Sequence, residues 1–375
     1  MKHFDAIVVG CGAMGSSVSY NLARRGLRVL ALERFGLNHE FGSSHGRTRV
    51  IRLAYFEDPR YVPLLRRAFS VWDGLAKMSG AEIIRRTGGL MIGREAGRLV
   101  TGVLRSAKEH SLPHRLLDAG EVMDRFGALR LGKDYCAVHE DNAGVLFPDH
   151  CISSYVGLAR ESGSEFHFSE RVTRWKPHPE GVEVETEKEV YDAGKLVFSA
   201  GAWTGSLLPG LLPLTCERQV QFWFEPPQNG SFSADRMPVF IMEEDSSHYF
   251  YGIPDVGHGV KVARTHGGTP VDPERMERTV TETDLAPVRG FMERRLPGLD
   301  ANPLSSAPCV YTNTPDSNFV VDFHPQDERV LVVSACSGHG FKFSGVIGEV
   351  AADLATEGTS KFDISFLRIG RFSEK

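Results

Sequence analysis

Apolar runs and an amphipathic segment alternate at the start of the chain. Asp5 to Val9 and Leu27 to Leu32 are short, mainly apolar runs of the kind that form buried strands. Met14 to Arg25 predicts a helix between them, because apolar residues recur at every fourth position and give the segment one apolar face. Strand, helix and strand in this order predict two parallel strands joined by a right-handed crossover.

Similar patterns return further along the chain. A second helix is predicted to begin near Pro63, and another to run from about Ser344 to Thr356 after a glycine-rich loop. Further strands are predicted at Val182 to Glu187, Lys195 to Ala200 and Val330 to Ser334. Residues 213–310 are rich in proline, aromatic residues and short alternating runs, which is typical of an antiparallel sheet.

A glycine motif joins the first strand to the first helix. Gly10-Cys11-Gly12-Ala13-Met14-Gly15 matches GxGxxG, and Glu33 ends the next strand 18 residues after Gly15. Gly10 allows a tight turn, Gly12 lets the backbone approach a pyrophosphate, and Gly15 lets helix and strand pack closely. The helix N-terminus offers free N–H groups to the phosphates, and Glu33 can accept hydrogen bonds from a ribose. The motif predicts NAD or FAD; the carboxylate disfavours NADP, although Arg34 follows it.

The bulk composition excludes several classes of partner. The chain has 375 residues, 41% of them hydrophobic and 24% charged, with a net charge of −5, so it has no general attraction for nucleic acid or anionic lipid. No apolar run is long enough to span a bilayer, and the N-terminal run breaks at Gly10 without a signal-peptide pattern. The six cysteines lack metal-site spacing. We therefore expect a cytoplasmic protein without a metal site.

Three further segments carry a family resemblance. They are Gly42 to Tyr55 (Gly-Ser-Ser-His-Gly-Arg-Thr-Arg-Val-Ile-Arg-Leu-Ala-Tyr), Pro308-Cys309-Val310-Tyr311-Thr312, and Ser337-Gly338-His339-Gly340-Phe341-Lys342-Phe343-Ser344. With the glycine motif they resemble the monomeric sarcosine oxidase family, which includes N-methyltryptophan and pipecolate oxidases and, more distantly, fructosyl-amine oxidases. The match runs in order over essentially the whole chain and includes Phe198 to Trp203 and Asp363-Ile-Ser-Phe.

The resemblance implies FAD bound covalently through the thiolate of Cys309. Judged alone, Cys309 is better read as a buried strand cysteine, and only the motif reverses that reading. Cys336 does not align with the attachment site. The resemblance also places His45 and Arg49 close to the flavin ring. The expected cofactor contacts are Gly10, Gly12, Ala13, Met14, Gly15, Glu33, Arg34, Ser44, Arg49, Val172, Gly201, Cys309, Gly338, Gly340, Phe341 and Lys342.

The segment from Ser337 to Lys342 also suggests an anion site from its own residues. A glycine-rich loop that runs into a helix can present several backbone N–H groups to negative charge, such as that of a reduced flavin. An ordinary glycine-rich turn between strand and helix is the alternative.

Arg52 and Lys342 match the residues that hold the substrate carboxylate in the family. A guanidinium suits a planar carboxylate, and an ammonium adds a point charge. Arg49 and Arg52 are three apart, so they would share a face if they lie on a helical turn. A solvated basic face is the alternative.

Three residues match the family at the substrate and oxygen side of the flavin. Tyr251 and Tyr311 match tyrosines that line the substrate pocket, and Lys261 matches a lysine that assists flavin reoxidation by oxygen. The expected catalytic set is therefore Lys261, Arg49, His45 and Tyr251. Taken singly, each of Tyr251, Tyr311 and Lys261 is more simply an ordinary strand residue.

One position departs from the family pattern. Sarcosine oxidases carry a histidine four residues after that lysine, whereas this chain has Thr265 there and His266 one residue later. A shift of one residue on a strand would point His266 to the opposite face. The departure puts sarcosine in doubt as the substrate more than it puts amine oxidation in doubt as the reaction.

The resemblance implies an oxidase for the secondary amine of a small amino acid. The substrate would be sarcosine, another N-methyl amino acid or a cyclic imino acid, and hydride transfer to the flavin would give an imine that water hydrolyses. Oxygen would then reoxidise the flavin and yield hydrogen peroxide. We expect a monomer with no nucleic-acid or membrane partner. A flavin-dependent dehydrogenase, a fructosyl-amino acid oxidase, a non-catalytic flavin-binding module and an NAD-dependent dehydrogenase remain as alternatives.

The nucleotide-type segments at both ends and in the middle of the chain imply a discontinuous first domain. We expect an α/β fold (mixed α+β), with a Rossmann-type FAD-binding domain at residues 1–80, 148–212 and 318–375. An antiparallel-sheet substrate domain would occupy residues 81–147 and 213–317.

Overall fold

The computed structural model describes residues 2–372. The helices of this range are α1 (Ala13–Ala23), α2 (Val62–Ser79), α3 (Arg98–Glu109), α4 (Ala119–Arg125), α5 (Pro148–Glu161), α6 (Thr204–Leu207), α7 (Glu282–Arg295) and α8 (Ser344–Glu357). The strands are β1 (Lys2–Val9), β2 (Val29–Leu32), β3 (Arg49–Ile51), β4 (Ile84–Arg86), β5 (Gly89–Arg94), β6 (Arg115–Asp118), β7 (Tyr135–Glu140), β8 (Gly144–Leu146), β9 (Glu165–His167), β10 (Val172–His178), β11 (Gly181–Thr186), β12 (Val190–Phe198), β13 (Thr215–Phe224), β14 (Val239–Glu243), β15 (Tyr249–Ile253), β16 (Val260–Thr265), β17 (Thr269–Pro270), β18 (Pro303–Asn313), β19 (Val320–His324) and β20 (Asp327–Ser334).

An eight-stranded sheet carries the nucleotide-type segments. Its main path runs β10-β11-β12-β1-β2-β9, and β20 pairs with β12 and with β19. The central pairs β12–β1, β1–β2, β2–β9 and β12–β20 are parallel. The predicted parallel pairing of the first two strands is therefore confirmed. All of β2 and residues 6–9 of β1 are buried, as parallel strands covered on both faces usually are.

Helices cover one face of this sheet. α1 packs against α5 and α8, and α2 packs against α8. The α1–α8 approach is very close, because a Cβ on Gly348 would lie 2.0 Å from Oγ of Ser17. This packing brings the N-terminal glycine loop and the loop before α8 to the same edge of the sheet.

The second large sheet has nine strands. Its main path runs β17-β13-β16-β15-β14-β5-β7-β6, with β18 paired to β13. Its pairs are antiparallel except β5–β14, which is parallel. The prediction of an antiparallel sheet in residues 213–310 is thus confirmed for β13 to β18. Helix α7 covers this sheet, where Phe291 stacks on Phe250 at 4.2 Å between ring centroids.

A small sheet of order β3-β8-β4 corrects one expectation. Arg49 begins β3 and Arg52 follows its last residue, so the predicted helical turn for this arginine pair is wrong. Hydrogen bonding to β8 explains the difference, because the register pairs Arg49 with Leu146 and Ile51 with Gly144.

The other predicted elements lie close to the observed ones, within an α/β fold. The helix from Met14 is α1, the helix near Pro63 is α2, and the helix from Ser344 is α8. Strands of the eight-stranded sheet come from residues 1–80, 148–212 and 318–375, and those of the nine-stranded sheet from 81–147 and 213–317. The division into two domains stays a prediction, and residues 1 and 373–375 of it lie outside the described residues.

Two further observations concern the described residues as a whole. None of their helices combines the length and apolar character that crossing a membrane requires. In the same residues, no group of three or more His, Cys, Asp or Glu side chains is arranged to hold a metal ion.

Candidate active site

A continuous cavity of about 770 Å³ runs between the two large sheets. Segments from both ends of the chain line it. The predicted site residues that line it are Gly10, Gly12, Ala13, Met14, Glu33, Arg34, Ser44, Arg49, Arg52, Val172, Gly201, Tyr251, Cys309, Tyr311, Gly338, Gly340, Phe341 and Lys342. Gly15, His45 and Lys261 lie behind its wall.

The glycine loop leaves space for a ligand to approach the backbone at the start of α1. Gly10 has a φ of +93°, and a Cβ there would lie 2.6 Å from the carbonyl oxygen of Ser199. A Cβ on Gly15 would lie 1.7 Å from the carbonyl oxygen of Gly10, so Gly15 serves packing. Gly12 is the N-cap and has no side chain to cap the helix; the Ala13 amide donates to Oγ of Ser44 at 3.1 Å, and the next amides have no acceptor within the helix. A Cβ on Gly12 would meet only Oγ of Ser44, at 3.1 Å, because this glycine faces the cavity.

Glu33 closes the same end of the cavity. Its Oε2 accepts a hydrogen bond from the Cys11 amide at 2.8 Å, and its Oε1 accepts one from the Phe35 amide at 2.9 Å. Each carboxylate oxygen has further lone pairs for hydroxyl donors. Arg34 is engaged elsewhere, in a two-pronged pair with Glu274 at 2.7 and 3.0 Å. The glycine loop and Glu33 therefore fit the pyrophosphate and ribose of a dinucleotide.

The segment before α8 forms a second cradle. Ser337 and Gly338 have φ values of +43° and +74°, and a Cβ on Gly340 would lie 1.8 Å from the carbonyl oxygen of Ala335. A 3₁₀ turn (Phe341–Phe343) leads into α8, and no side chain caps either element. Amide N–H groups at such a start favour an anionic ligand. The cradle fits the negative edge of a flavin.

Arg49 and His45 pack together beside this cradle. The Nη1 of Arg49 donates to the Thr48 carbonyl at 2.8 Å and to Oε1 of Gln221 at 3.3 Å, and its Nη2 donates to the Ser43 carbonyl at 2.7 Å. His45 is buried, and both of its ring nitrogens lack a hydrogen-bond partner among the described residues. Burial, and then the charge of Arg49, lowers the pKa of His45 to about 3, so its imidazole is neutral.

Cys309 lies in the middle of β18 and faces the cavity. It is 2% exposed and pairs in register with Gln219 of β13. Burial raises the pKa of its thiol, while the charges of Arg49 and Lys261 act in the opposite direction. Cys336, which follows β20, lines the same cavity.

Lys261 lies behind the cavity wall. Its Nζ donates to the carbonyl oxygens of Gly46 and Thr48, both at 3.0 Å, and the residue is 1% exposed. Burial, and then the charge of Arg49, holds the pKa of Lys261 well below its usual value. The amine therefore braces the loop that carries Arg49.

Arg52 and Lys342 meet at one side of the cavity, together with a residue that the sequence did not reveal. The Nη2 of Arg52 donates to both oxygens of Glu57 at 2.7 Å, and its Nη1 donates to the Ala54 carbonyl at 2.9 Å. The Nε of Arg52 has no partner within the described part of the chain. Burial raises the pKa of Glu57, but the charge of Arg52 and the hydrogen bonds from its guanidinium outweigh it, so the pKa lies below its usual value.

Lys342 has an unusual charge state for a lysine. Its Nζ donates to the His339 carbonyl at 2.7 Å, and the residue is 7% exposed. Burial, and then the charge of Arg52, lowers its pKa to about 7. Near neutral pH, Lys342 can therefore be charged or neutral, and a bound carboxylate would favour the charged form.

His339, inside the motif that contains Lys342, is held at both ring nitrogens. Its Nδ1 lies 2.6 Å from the Tyr55 hydroxyl, and its Nε2 lies 2.9 Å from the Ser317 carbonyl. Burial lowers the pKa of His339 to about 4. The neutral ring thus donates through Nε2–H to Ser317 and accepts from Tyr55 at Nδ1.

The wall opposite Lys342 is aromatic and polar. Tyr251 of β15 and Tyr311 of β18 both line it. His266 lines it too, with its ring edge-on to Tyr311 at 5.5 Å. The expectation that His266 points to the opposite face from Thr265 is wrong, because β16 ends at Thr265 and His266 adopts a φ of +58°. That turn returns the ring to the cavity.

Comparisons with known proteins agree with this geometry. The family model described as FAD dependent oxidoreductase matches residues 5–354. The chain is 42% identical to a monomeric sarcosine oxidase from Streptomyces avermitilis over 367 residues, which cover 96% of each chain. It is 36% identical to N-methyl-L-tryptophan oxidase from Salmonella dublin, over 99% of this chain and 100% of that protein.

The fold also matches solved structures. NikD, described as an unusual amino acid oxidase essential for nikkomycin biosynthesis, superimposes with a TM-score of 0.86. The two are 25% identical, and the match covers 98% of each chain.

Proposed function

Since the chain belongs to the FAD-dependent oxidoreductases, and among them to the monomeric sarcosine oxidase family, we propose that it oxidises a small N-methyl or cyclic amino acid with covalently held FAD and molecular oxygen. It is an FAD-dependent enzyme that acts on the carbon–nitrogen bond of an amine. The observation that carries the proposal is the shared cavity, which is lined by Gly12 and Glu33 at one end and by Cys309, Arg52 and Lys342 at the other.

The chain's own residues would hold FAD along this cavity. The loop of Gly10 and Gly12 would take the pyrophosphate, Glu33 the ribose, and the N–H groups from Gly338 to Lys342 the flavin edge. When bound, FAD would supply the acceptor for a hydride from the carbon beside the substrate nitrogen. The ring of His45 is neutral, and its nitrogens have no hydrogen-bond partner among residues 2–372, so Arg49 supplies the positive charge beside it.

We propose that Cys309 forms a thioether to the flavin ring. Its support is the position of its thiol in the cavity, where the charge of Arg49 offsets part of the rise in the thiol pKa that burial causes. Acid precipitation of the wild type is expected to leave yellow flavin in the pellet, whereas Cys309→Ser releases it to the supernatant. Cys336→Ser, which removes the neighbouring thiol of the same cavity, is expected to keep the flavin. Release of flavin from the wild type, or from Cys336→Ser alone, contradicts the assignment.

Arg52 and Lys342 would bind the substrate carboxylate. Both are buried side chains with hydrogen-bonding capacity left, since the Nε of Arg52 has no partner in the part of the chain that the structure describes and Lys342 has two further N–H donors. Tyr251 and Tyr311 would cover the substrate and exclude water, which strengthens these charge contacts. Fixing the carboxylate in this way orients the reacting carbon and supplies part of the rate.

The proposal that oxygen is the electron acceptor rests on the positive charge in the same wall of the cavity. Arg49 lines the cavity, and Lys261 holds the loop before it through the Gly46 and Thr48 carbonyls, so the charge of Arg49 is available where reduced oxygen develops negative charge. One hydrogen peroxide released per amine oxidised is expected. Turnover with an artificial acceptor but without peroxide would instead assign a dehydrogenase. We also propose that the enzyme acts as a single chain, which sedimentation of the holoenzyme tests.

The decisive experiment is an anaerobic screen of flavin bleaching. Sarcosine, N-methyl amino acids, pipecolate and proline are expected to bleach the flavin absorbance, and primary amino acids to react more slowly. Bleaching by glycated amino acids alone would point to a fructosyl-amino acid oxidase. Failure of every secondary amine overturns the proposed function.

A further inference from the structure

A distinct group of polar residues lines the outer end of the cavity on its substrate side. We call the group of Arg98, Ser246, Ser247, Thr265 and His266 the outer subsite; all five line the cavity. They come from the start of α3, the turn between β14 and β15, and the end of β16. Each carries a side chain that can donate a hydrogen bond.

Arg98 is the charged member of the outer subsite. It is the first residue of α3, where the helix dipole disfavours a cation, and no acidic residue occupies that turn. Among residues 2–372 its guanidinium forms no ion pair with a carboxylate, although its backbone amide donates to Glu243 at 3.1 Å. An unpaired cation in an unfavourable position suggests a role other than stability.

The charge of Arg98 acts on the inside of the cavity. It lowers the pKa of Tyr249, against a larger rise from burial, and it adds to the lowering of the pKa of His266 that burial causes. Both side chains line the cavity. Arg98 lines the cavity as well, so its guanidinium lies at the cavity mouth together with these two side chains.

The other members add neutral donors. Within the described residues, the Ser246 and Ser247 hydroxyls and the His266 ring nitrogens have no hydrogen-bond partner in the protein. Glu217 holds the turn that presents His266, since its Oε1 accepts from the Gly268 amide at 2.5 Å. The imidazole is thus fixed while its polar edge stays available to a ligand.

Carboxylates near the outer subsite are already engaged. Glu57 is bound through both oxygens by Arg52, and Glu243 accepts hydrogen bonds from the Arg98 and Leu99 amides and the Tyr249 hydroxyl. The outer subsite therefore offers donors and one unpaired positive charge. A ligand that completes it must bring acceptors, and a carboxylate satisfies the charge as well.

An apolar wall separates the outer subsite from the carboxylate site. The rings of Phe56 and Tyr249 stack with centroids 5.8 Å apart and an interplanar angle of 12°, and both line the cavity. A methylene stem can pack on this stacked pair. The order along the cavity is thus a cationic site at Arg52, an apolar wall, and a second cation at Arg98.

We propose that the substrate is an N-methyl or cyclic amino acid with a second, side-chain carboxylate, which Arg98 binds with His266 and the two serines. This inference rests on the proposed function and narrows its substrate class. The α-carboxylate occupies the site of Arg52 and Lys342, and the methylene stem lies on Phe56 and Tyr249. The second carboxylate then reaches the outer subsite.

Matched substrates and variants test the inference in the holoenzyme. N-methylglutamate and N-methylglutamine have the same shape and differ in side-chain charge, so wild-type kcat/KM is expected to favour N-methylglutamate by about fivefold. Arg98→Gln is expected to remove that preference, by lowering kcat/KM for N-methylglutamate towards the value for N-methylglutamine. High salt should reduce the preference in the wild type, because the mouth is open to solvent. Arg105→Gln is the control, since Arg105 is an exposed arginine two turns further along α3 and outside the cavity lining.

The outcomes separate this inference from the proposed function. Equal kcat/KM for the two substrates in the wild type overturns the inference while leaving the proposed function intact. The inference is also overturned if Arg98→Gln lowers kcat/KM equally for both substrates, or if it does not lower kcat/KM for N-methylglutamate. Failure of every N-methyl amino acid to bleach the flavin rejects the proposed function itself.

Discussion

Lys342 is the residue whose charge changes in the pH range where the enzyme is expected to work. Burial, and then Arg52, lowers its pKa to about 7, while the neighbouring Glu57 acts in the opposite direction. A substrate carboxylate binds the protonated lysine more tightly than the neutral one. Affinity for a carboxylate should therefore be full below the pKa and fall as the pH rises through it.

An amine-free acid isolates this effect from the titration of the substrate nitrogen. For cyclopentanecarboxylate, measured by the change in flavin absorbance, the Kd is expected to be flat below about pH 7 and to rise about tenfold per pH unit above it. Lys342→Arg, which stays protonated, should flatten the profile. A Kd that does not change across this range in the wild type contradicts the assigned role of Lys342.

Among individual residues, the sequence predicted the site residues that belong to motifs. It missed the residues that reach the site only through tertiary packing. Cys309 and Lys342 stand in recognisable segments, and both line the cavity. Glu57 and Gln221 belong to no motif, and their contacts with Arg52 and Arg49 depend on the folded chain. The orientation of His266 was predicted wrongly, because a positive φ at a residue other than glycine leaves no signal in the sequence.

Among the elements, β7 holds the turn that follows β3. Glu140, the last residue of β7, accepts hydrogen bonds from the Leu53 amide at 2.7 and 3.0 Å and from the Ala54 amide at 2.9 Å. The carbonyl of Ala54 in turn accepts from Nη1 of Arg52 at 2.9 Å. Glu140 is therefore a positioning residue that acts on Arg52 through the backbone.

Glu140→Ala should weaken substrate binding more than it slows turnover. Two buried amides lose their acceptor, the turn relaxes, and KM for an N-methyl amino acid is expected to rise about tenfold with a smaller change in kcat. Glu140→Gln keeps an acceptor oxygen and should recover part of the affinity. Asp255→Ala is the control, because Asp255 also accepts hydrogen bonds from backbone amides, those of Gly257, His258 and Gly259, and lies outside the cavity lining. Both Ala variants should lower Tm, and equal KM effects in the two would reject the positioning role.

The two glycines at the start of α1 should respond differently to the same added methyl group. Gly15→Ala places Cβ against the Gly10 carbonyl, and such overpacking costs about 1–3 kcal/mol or more in the free energy of unfolding. Gly12→Ala meets only the Ser44 hydroxyl and projects into the cavity, so it should fold normally and bind FAD poorly. Thermal melts and flavin content measure the two effects, and a stable Gly15→Ala protein would contradict the packing argument.

Sequence periodicity predicted the positions of α1, α2 and α8, although α1 and α8 are buried over most of their residues. The short strand β3 did not, because three residues carry too little pattern and its partner β8 is distant in sequence. The same limit applied to residues 80–147, whose strands pair with elements from three parts of the chain. The local sequence pattern is enough to predict a long helix. Whether a short strand forms depends on hydrogen bonding to a strand that is distant in sequence.

At the scale of the whole molecule, a clasp joins the two large sheets across the outer end of the dinucleotide site. We define the clasp as Arg34, Glu274 and Arg278. Glu274 pairs with Arg34, which lines the cavity and lies 4.7 Å from the Trp203 ring centroid. Arg278 donates to the carbonyl oxygens of Glu40 and Phe41, both at 2.9 Å. The clasp therefore fastens the segment between β17 and α7 onto the loop that follows β2.

The clasp should slow the escape of the dinucleotide end of FAD once no covalent bond retains it. In the Cys309→Ser background, Glu274→Gln removes the ion pair with Arg34, and FAD dissociation is expected to be about fivefold faster at low salt. The difference should shrink at high salt, because the side chain of Glu274 is 36% exposed and its charge is screened. Glu282→Gln, which removes a solvent-exposed partner of Arg289 away from the cavity, should not change the rate. Flavin fluorescence on release follows both variants, and equal rates for the two would mean that FAD leaves without the clasp opening.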